Sequence, residues 1–152
     1  MLLHNTLLSE QTFTFLHQHL IRLGVWALFS IILGIVILLA KRQNLAAQHF
    51  SLQFIVWGVI DGVIVLFGLR DNSRPDIVAA IKLREFLWLN EGLDVGYVAV
   101  GITLIIIGRW SKVNSASLVG AGLGVTIQGF LLLLLDGILL WQLPNISSWI
   151  NK

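Results

Sequence analysis

Four apolar runs, each close to the roughly 20 residues a helix needs to cross a bilayer, divide this chain. The first covers about 20–40 and stops at Lys41-Arg42, and the second covers about 50–69 and stops at Arg70-Asp71. The third covers about 86–108 and stops at Arg109-Trp110, and the fourth covers about 118–142 and ends before Pro144. The pattern predicts an all-α fold, a transmembrane four-helix bundle forming one integral membrane domain over 1–152. Two shorter segments read as interfacial helices. Residues 9–19 place Phe13 and Leu16 at helical spacing with Leu20 behind a Ser9 cap, and in the stretch before the third run Asp71, Asn72 or Ser73 would cap a helix opened by Pro75 that runs into the third span.

Composition narrows the function classes. Hydrophobic residues make up 57% of the 152, charged residues only 12%, and mean hydropathy is +0.87, against about 25% charged in ordinary soluble domains. Four spans consume most of the length, so no room is left for a separate soluble catalytic domain. The ten Lys and Arg residues sit at span ends, where loop cations of membrane proteins belong, and carry no nucleic-acid signal. Cysteine is absent, which excludes disulfides and thiolate chemistry. The amino terminus lacks a basic n-region with a short apolar core, so residue 1 is expected in the mature chain. A multi-pass protein of the bacterial inner membrane is expected. Arg22, Arg70, Arg74, Lys82, Arg84 and Lys152 on the terminal side outnumber Lys41, Arg42, Arg109 and Lys112 on the other, which favours cytoplasmic termini. Trp26, Trp88, Trp110, Trp141 and Trp149 fall near span ends as an interfacial belt.

Carboxylates inside the spans change the picture most. A carboxylate at the bilayer centre costs about 2.5–3.5 kcal/mol on insertion scales, and three spans accept one. At about 100° per residue, Gln53, Trp57 and Asp61 share one stripe of the second helix. Asn90, Asp94 and Tyr97 share a stripe of the third with Glu91 on its flank, and Gln128 and Asp136 share a face of the fourth. With a rise of about 1.5 Å per residue, Asp61 lies near mid-membrane, Asp94 roughly 5 Å and Asp136 roughly 9 Å from it toward the terminal side. One polar pocket opening toward that side is expected. Arg22 is the nearest cation, within reach of Glu91 or Asp136, and Asp61 and Asp94 have none.

Gln53 precedes Asp61-Gly62 by eight residues, and Gln128 precedes Asp136-Gly137 by eight, at an offset of 75. Gly34-Ile35, Leu38 and Arg42 align with Gly101-Ile102, Ile105 and Arg109 at an offset of 67. Two tandem helical hairpins in one orientation would form a parallel repeat; chance matches in Leu/Ile/Gly-rich sequence are the alternative.

Other chemistry finds little support. His4, His17, His19 and His49 fall outside the apolar runs, and His17 and His19 point to different helix faces, so no bis-histidine cofactor is expected. Asp61, Glu91, Asp94 and Asp136 would suit a hard cation, but the Glu-x-x-His pairs of bundle di-iron sites are missing, and no metal or cofactor is assigned. No His stands near Ser30 or Tyr97 to activate them, and no Lys-Ser/Thr follows the glycines of the fourth span.

Trp57-Gly58-x-x-Asp61, Asn90-x-Gly92-Leu93-Asp94-x-x-Tyr97 and Gln128-Gly129-x6-Asp136 together resemble an uncharacterised family of small bacterial four-span membrane proteins, a domain of unknown function. The resemblance spans nearly the whole chain and implies no activity. From the residues, the leading expectation is a polar cavity lined by Asp61, Asp94, Asp136, Asn90, Glu91, Tyr97, Gln53, Gln128 and Trp57. It would bind a small ligand, cation or proton in a carrier, permeation unit or sensor, as a homo-oligomer in the lipid bilayer. A non-catalytic assembly subunit pairing its acids with another membrane protein's cations is the competing class, and a membrane enzyme acting on a lipid or quinone is third. Purely structural hydrogen bonding between helices, at about 1 kcal/mol or less per contact, is the bland alternative to all three.

Overall fold

The computed structural model describes residues 2–145 and residue 147; the side chain of His4 and all of Trp149 and Lys152 lie outside the described residues. Four helices follow one another: α1 (Leu2–Ala40), α2 (Leu45–Arg70), α3 (Ile77–Trp110) and α4 (Ser115–Gln142). All four are long and apolar enough to cross a membrane, which makes the fold an all-α four-helix bundle of multi-pass membrane type. The ends on the hairpin-loop side fall close to where the sequence puts them, because Lys41-Arg42 and Arg109-Trp110 stop the apolar runs there.

Residues 9–19 form no separate helix and lie within α1, whereas the 77–85 stretch runs into the third span as the sequence suggests and is the first part of α3. At about 1.5 Å per residue these two helices reach roughly 50–60 Å, well beyond a bilayer core of about 30 Å. Their N-terminal ends therefore stand out on the terminal side. Ser9 lies inside α1, and its Oγ donates to the Pro75 carbonyl at 2.8 Å. Arg74 pairs with Glu10 and lies 5.7 Å from the Phe13 ring centroid. The cap of α3 is Asp76, whose side chain accepts from the Ala79 N–H at 2.8 Å, so the helix starts after Pro75 and not at it. Asp71 instead closes a turn by accepting from the N–H and hydroxyl of Ser73, which holds its carboxyl below the usual range. Asn44 caps α2 through the Ala47 N–H. Asn114, in the left-handed region at φ 59°, turns the chain into α4, a conformation that asparagine tolerates better than most residues.

Lateral order follows from small residues. Lipid offers no hydrophobic drive for helix association, so contact area and close backbone approach decide it. α4 carries both kinds of close approach. A methyl group at Gly122 would lie 2.6 Å from the Gly101 carbonyl oxygen of α3, and one at Gly124 would lie 2.7 Å from Gln53 Cβ of α2. α1 packs on α2 in the same way, since a Cβ at Gly58 would stand 2.8 Å from the Ala27 carbonyl oxygen. α2 and α3 are the exception: their Cα atoms nowhere come within 8 Å of each other.

The two hairpins share local detail. Gly34 packs on Ser51 of α2 and Gly101 packs on Thr126 of α4, and Ser51 and Thr126 are separated by the same 75 positions as Asp61 and Asp136. Each hydroxyl also donates back one helical turn, Ser51 to Ala47 O and Thr126 to Gly122 O. These matches support the two-hairpin repeat.

Glycines that touch backbone and glycines that face open space should respond with opposite sign to the same substitution. The Cβ of Gly120→Ala would collide with the Ala46 carbonyl, where only backbone can yield, and should lower the thermal midpoint in detergent by the equivalent of about 1–3 kcal/mol. Gly92 has nothing within 4 Å, so Gly92→Ala should hold or raise the midpoint by up to about 1 kcal/mol through helix propensity. Equal losses from both would refute the packing account.

Candidate functional site

α4 is anchored to α1 and α3 by polar pairs along one face. Gln128, fully buried, accepts from Trp26 Nε1 at 2.8 Å and donates from Nε2 to Ser30 Oγ at 3.1 Å. Two turns further along, Asp136 has both oxygens engaged. Oδ1 lies 3.3 Å from His19 Nε2 of α1, and Oδ2 accepts from Asn90 Nδ2 of α3 at 3.2 Å. The spacing of eight residues puts both groups on the same face, so one helix is tied twice to its neighbours.

Asp61 of α2 and Asp94 of α3 differ from Asp136. Each is all but buried, at 3% and 4% exposure, and the Oδ2 atom of each has no hydrogen-bond partner. Both are electrostatic neighbours of Asp136. They line a cavity of about 280 Å³ that takes residues from all four helices. His19, Leu23 and Asp136 contribute from α1 and α4, and Trp57, Asp61, Asn90, Asp94 and Tyr97 from α2 and α3. Among the described residues, no Lys or Arg lines it. A buried carboxylate without a cation or a hydrogen bond is costly, so this wall demands a proton or a positive partner.

Aromatic and apolar side chains flank the cavity along the bundle axis. On the hairpin-loop side, Trp57 and Tyr97 meet edge to face, with centroids 4.8 Å apart, and bridge the gap between α2 and α3. On the terminal side, Leu87, Leu139, Leu140 and Leu143 form an apolar cluster with Phe15, Leu16 and Leu83 packed against it. This apolar cluster stands on the side where the sequence places the opening. The end of α4 supplies three of its buried leucines and α3 the fourth, and Phe15, Leu16 and Leu83, from the parts of α1 and α3 that precede the apolar runs, pack against them.

Six of the nine residues singled out in the sequence come together at this cavity: Asp61, Asp94, Asp136, Asn90, Tyr97 and Trp57. The other three do not. Gln53 lies against Gly124, Gln128 is consumed by Trp26 and Ser30, and Glu91 rests beside Gly137, where a Cβ would meet its Oε1 at 3.0 Å. Trp26 is thus an internal donor rather than a belt residue, whereas Trp88, Trp110 and Trp141 are exposed. Arg22 reaches neither acid; its Nη2 donates to Gln142 Oε1 at 3.0 Å.

His19 is the residue the sequence reading missed. It is buried against Asp136, and its Nδ1 has no partner. The signal was present: His19, Leu23, Ala27 and Ser30 recur at helical spacing and are all buried, so the inward seam of α1 continues beyond the strictly apolar run. His17 leaves this face and lies against Phe13, with ring centroids 4.1 Å apart. Among the described residues, no three His, Asp or Glu side chains are grouped to hold a metal ion.

No curated protein and no solved structure matches the chain. A family model matches residues 22–137, a stretch that contains every membrane-embedded acid, every cavity residue of α2 and α3, and Leu132 and Asp136 of α4. The chain belongs to the family of unknown function DUF6992.

Proposed function

We propose that this protein binds a small ligand through the intramembrane carboxyls of Asp61 and Asp94, and that the ligand brings the positive charge or hydrogen-bond donors these groups lack. One observation carries the reading: two buried carboxyl oxygens face a common cavity without a partner, while the third acid, Asp136, has both oxygens engaged. Carboxyls serving only helix register would be expected to hydrogen-bond across the bundle as Asp136 does. A proton and a cationic ligand are alternative ways to balance the same two carboxyls, so exchange of one for the other is the natural coupling for a carrier. The aromatic pair and the apolar cluster that flank the cavity favour a carrier or sensor over an open pore. The protein belongs, in this reading, to the bacterial inner membrane, with its termini cytoplasmic on the count of six cations against four.

Division of labour between the acids gives a first prediction about stability without ligand. Asp136→Leu strands His19 and Asn90 and should cost about 1–3 kcal/mol. Asp61→Asn and Asp94→Asn remove groups that have no partner and should leave the thermal midpoint unchanged or higher. Comparable losses at all three positions would mean that the three acids form one structural network. The second prediction concerns binding. n-Butylammonium should raise the thermal midpoint of the purified protein, n-butanol should not, and the Asp61→Asn, Asp94→Asn double variant should lose the response. Protection of the double variant equal to that of the parent chain would sink the proposal.

A further inference from the structure

The cavity has a side window. Ile60 and Ile64 of α2 and Phe86 and Leu93 of α3 line it and are at the same time 42–56% exposed on the outer surface. They stand on the two helices whose backbones keep apart. With Trp57 and Tyr97 above and the leucine cluster below, the gap between α2 and α3 leads sideways to the level of the acyl chains. Its rim is wholly apolar, and its floor is the Asp61–Asp94 pair.

Size and charge then specify an occupant. At about 280 Å³ the cavity falls at or below the low end of small-molecule sites, roughly 300–1,000 Å³, and holds the equivalent of about nine waters at ~30 Å³ each. A polar head with a few attached carbons fits, and a longer molecule must leave through the window. The unpartnered oxygens require donors and positive charge, which an ammonium supplies with three N–H groups. The flanking rings of Trp57 and Tyr97 also suit a cation. Resting on the binding function proposed above, we propose that the site takes a single-chain amphiphile with a protonated amine head: the head lies between Asp61 and Asp94, and the tail passes between α2 and α3 into the bilayer. A free long-chain amine and an amine-headed phospholipid share this head chemistry. The single chain is favoured because a phosphate next to the ammonium would bring negative charge against Asp136.

Affinity tests can separate the window from the site. The protein would be placed in nanodiscs of phosphatidylcholine and phosphatidylglycerol, which contain no primary amine. n-Dodecylammonium, n-butylammonium and n-dodecanol would then be titrated, with thermal midpoint and native mass spectrometry as readouts. Dodecylammonium should bind at least tenfold tighter than butylammonium, counted on concentration in the lipid phase, and dodecanol should not protect. Ile64→Trp and Leu93→Trp, both on the lipid-facing rim, should reduce the preference for the long chain to within twofold. The Asp61→Asn, Asp94→Asn double variant should lose dodecylammonium binding. Nanodiscs enriched in phosphatidylethanolamine should leave dodecylammonium affinity unchanged; a loss of tenfold or more there would identify the phospholipid as the occupant and overturn the single-chain assignment. Equal affinity for the two amines, or a preference untouched by both Trp substitutions, would overturn the lateral path while leaving the carboxyl site in place. Protection by dodecanol, or retained dodecylammonium binding in the double variant, would overturn the head-group assignment.

Discussion

Backbone approach along α4 is the constraint on which the rest of the structure depends. Glycines on one flank admit α3, through Gly122 and Gly129, and glycines on another admit α2, through Gly120 and Gly124. In lipid, where apolar side chains gain little by leaving their surroundings, such contacts are the main source of association. A helix that holds one neighbour on each flank also keeps those neighbours apart. α2 and α3 never reach backbone contact, and the space between them is the cavity. The site is thus a consequence of where the small residues lie, and the acids occupy a gap that packing creates.

Polar groups divide into two populations with different physical roles. Gln128 with Trp26 and Ser30, and Asp136 with His19 and Asn90, pair across the bundle and bind α1 and α3 to the central helix. Removing one member of such a set leaves its partner stranded in a medium that offers no substitute, so these groups fix register. Asp61 and Asp94 line the same cavity as Asp136 and join none of these bonds. Stability alone does not explain carboxyls kept in that state, because apolar residues of similar size would pack at least as well. The contrast between neighbouring acids, more than the presence of acids, is what points to a ligand.

Sequence periodicity made part of this legible. Charge pairs at the ends of the apolar runs marked the loop-side ends of the spans, and a period of 3.6 grouped Trp57 with Asp61 and Asn90 with Asp94 and Tyr97, all of which meet at the cavity. The same period could not separate Gln53 from Asp61 or Gln128 from Asp136. It assigns a direction about a helix's own axis, and which neighbour stands in that direction at a given level depends on helix crossing. Gln53 meets Gly124, one helix surface away from the site. Hydropathy also drew the edge of α1 too late and left His19 outside. Hydropathy locates the oily core of a bilayer, whereas burial in a bundle continues wherever helices remain in contact. The apolar cluster beside the site escaped notice because its leucines come from the end of α4 and from α3, and which side chains meet across helices is again set by crossing.

The likeness of the two hairpins gives these differences a common frame. Gly34 on Ser51 and Gly101 on Thr126 are equivalent crossings, and the back-donating hydroxyls match position for position. On the hairpin-loop side the two halves remain alike, where packing alone is at stake. Toward the terminal side they diverge. Asp61 and Asp136 occupy corresponding positions 75 residues apart, yet one is tied at both oxygens and the other has a buried oxygen with no partner. His19 accounts for half of that difference, because its counterpart at an offset of 67 is Phe86, which lies on the exposed rim of the window and offers Asp61 no nitrogen. The two hairpins, alike in packing, therefore differ at the level of their acids: one closes its carboxyl with an internal base, and the other leaves the corresponding place lined by an apolar ring.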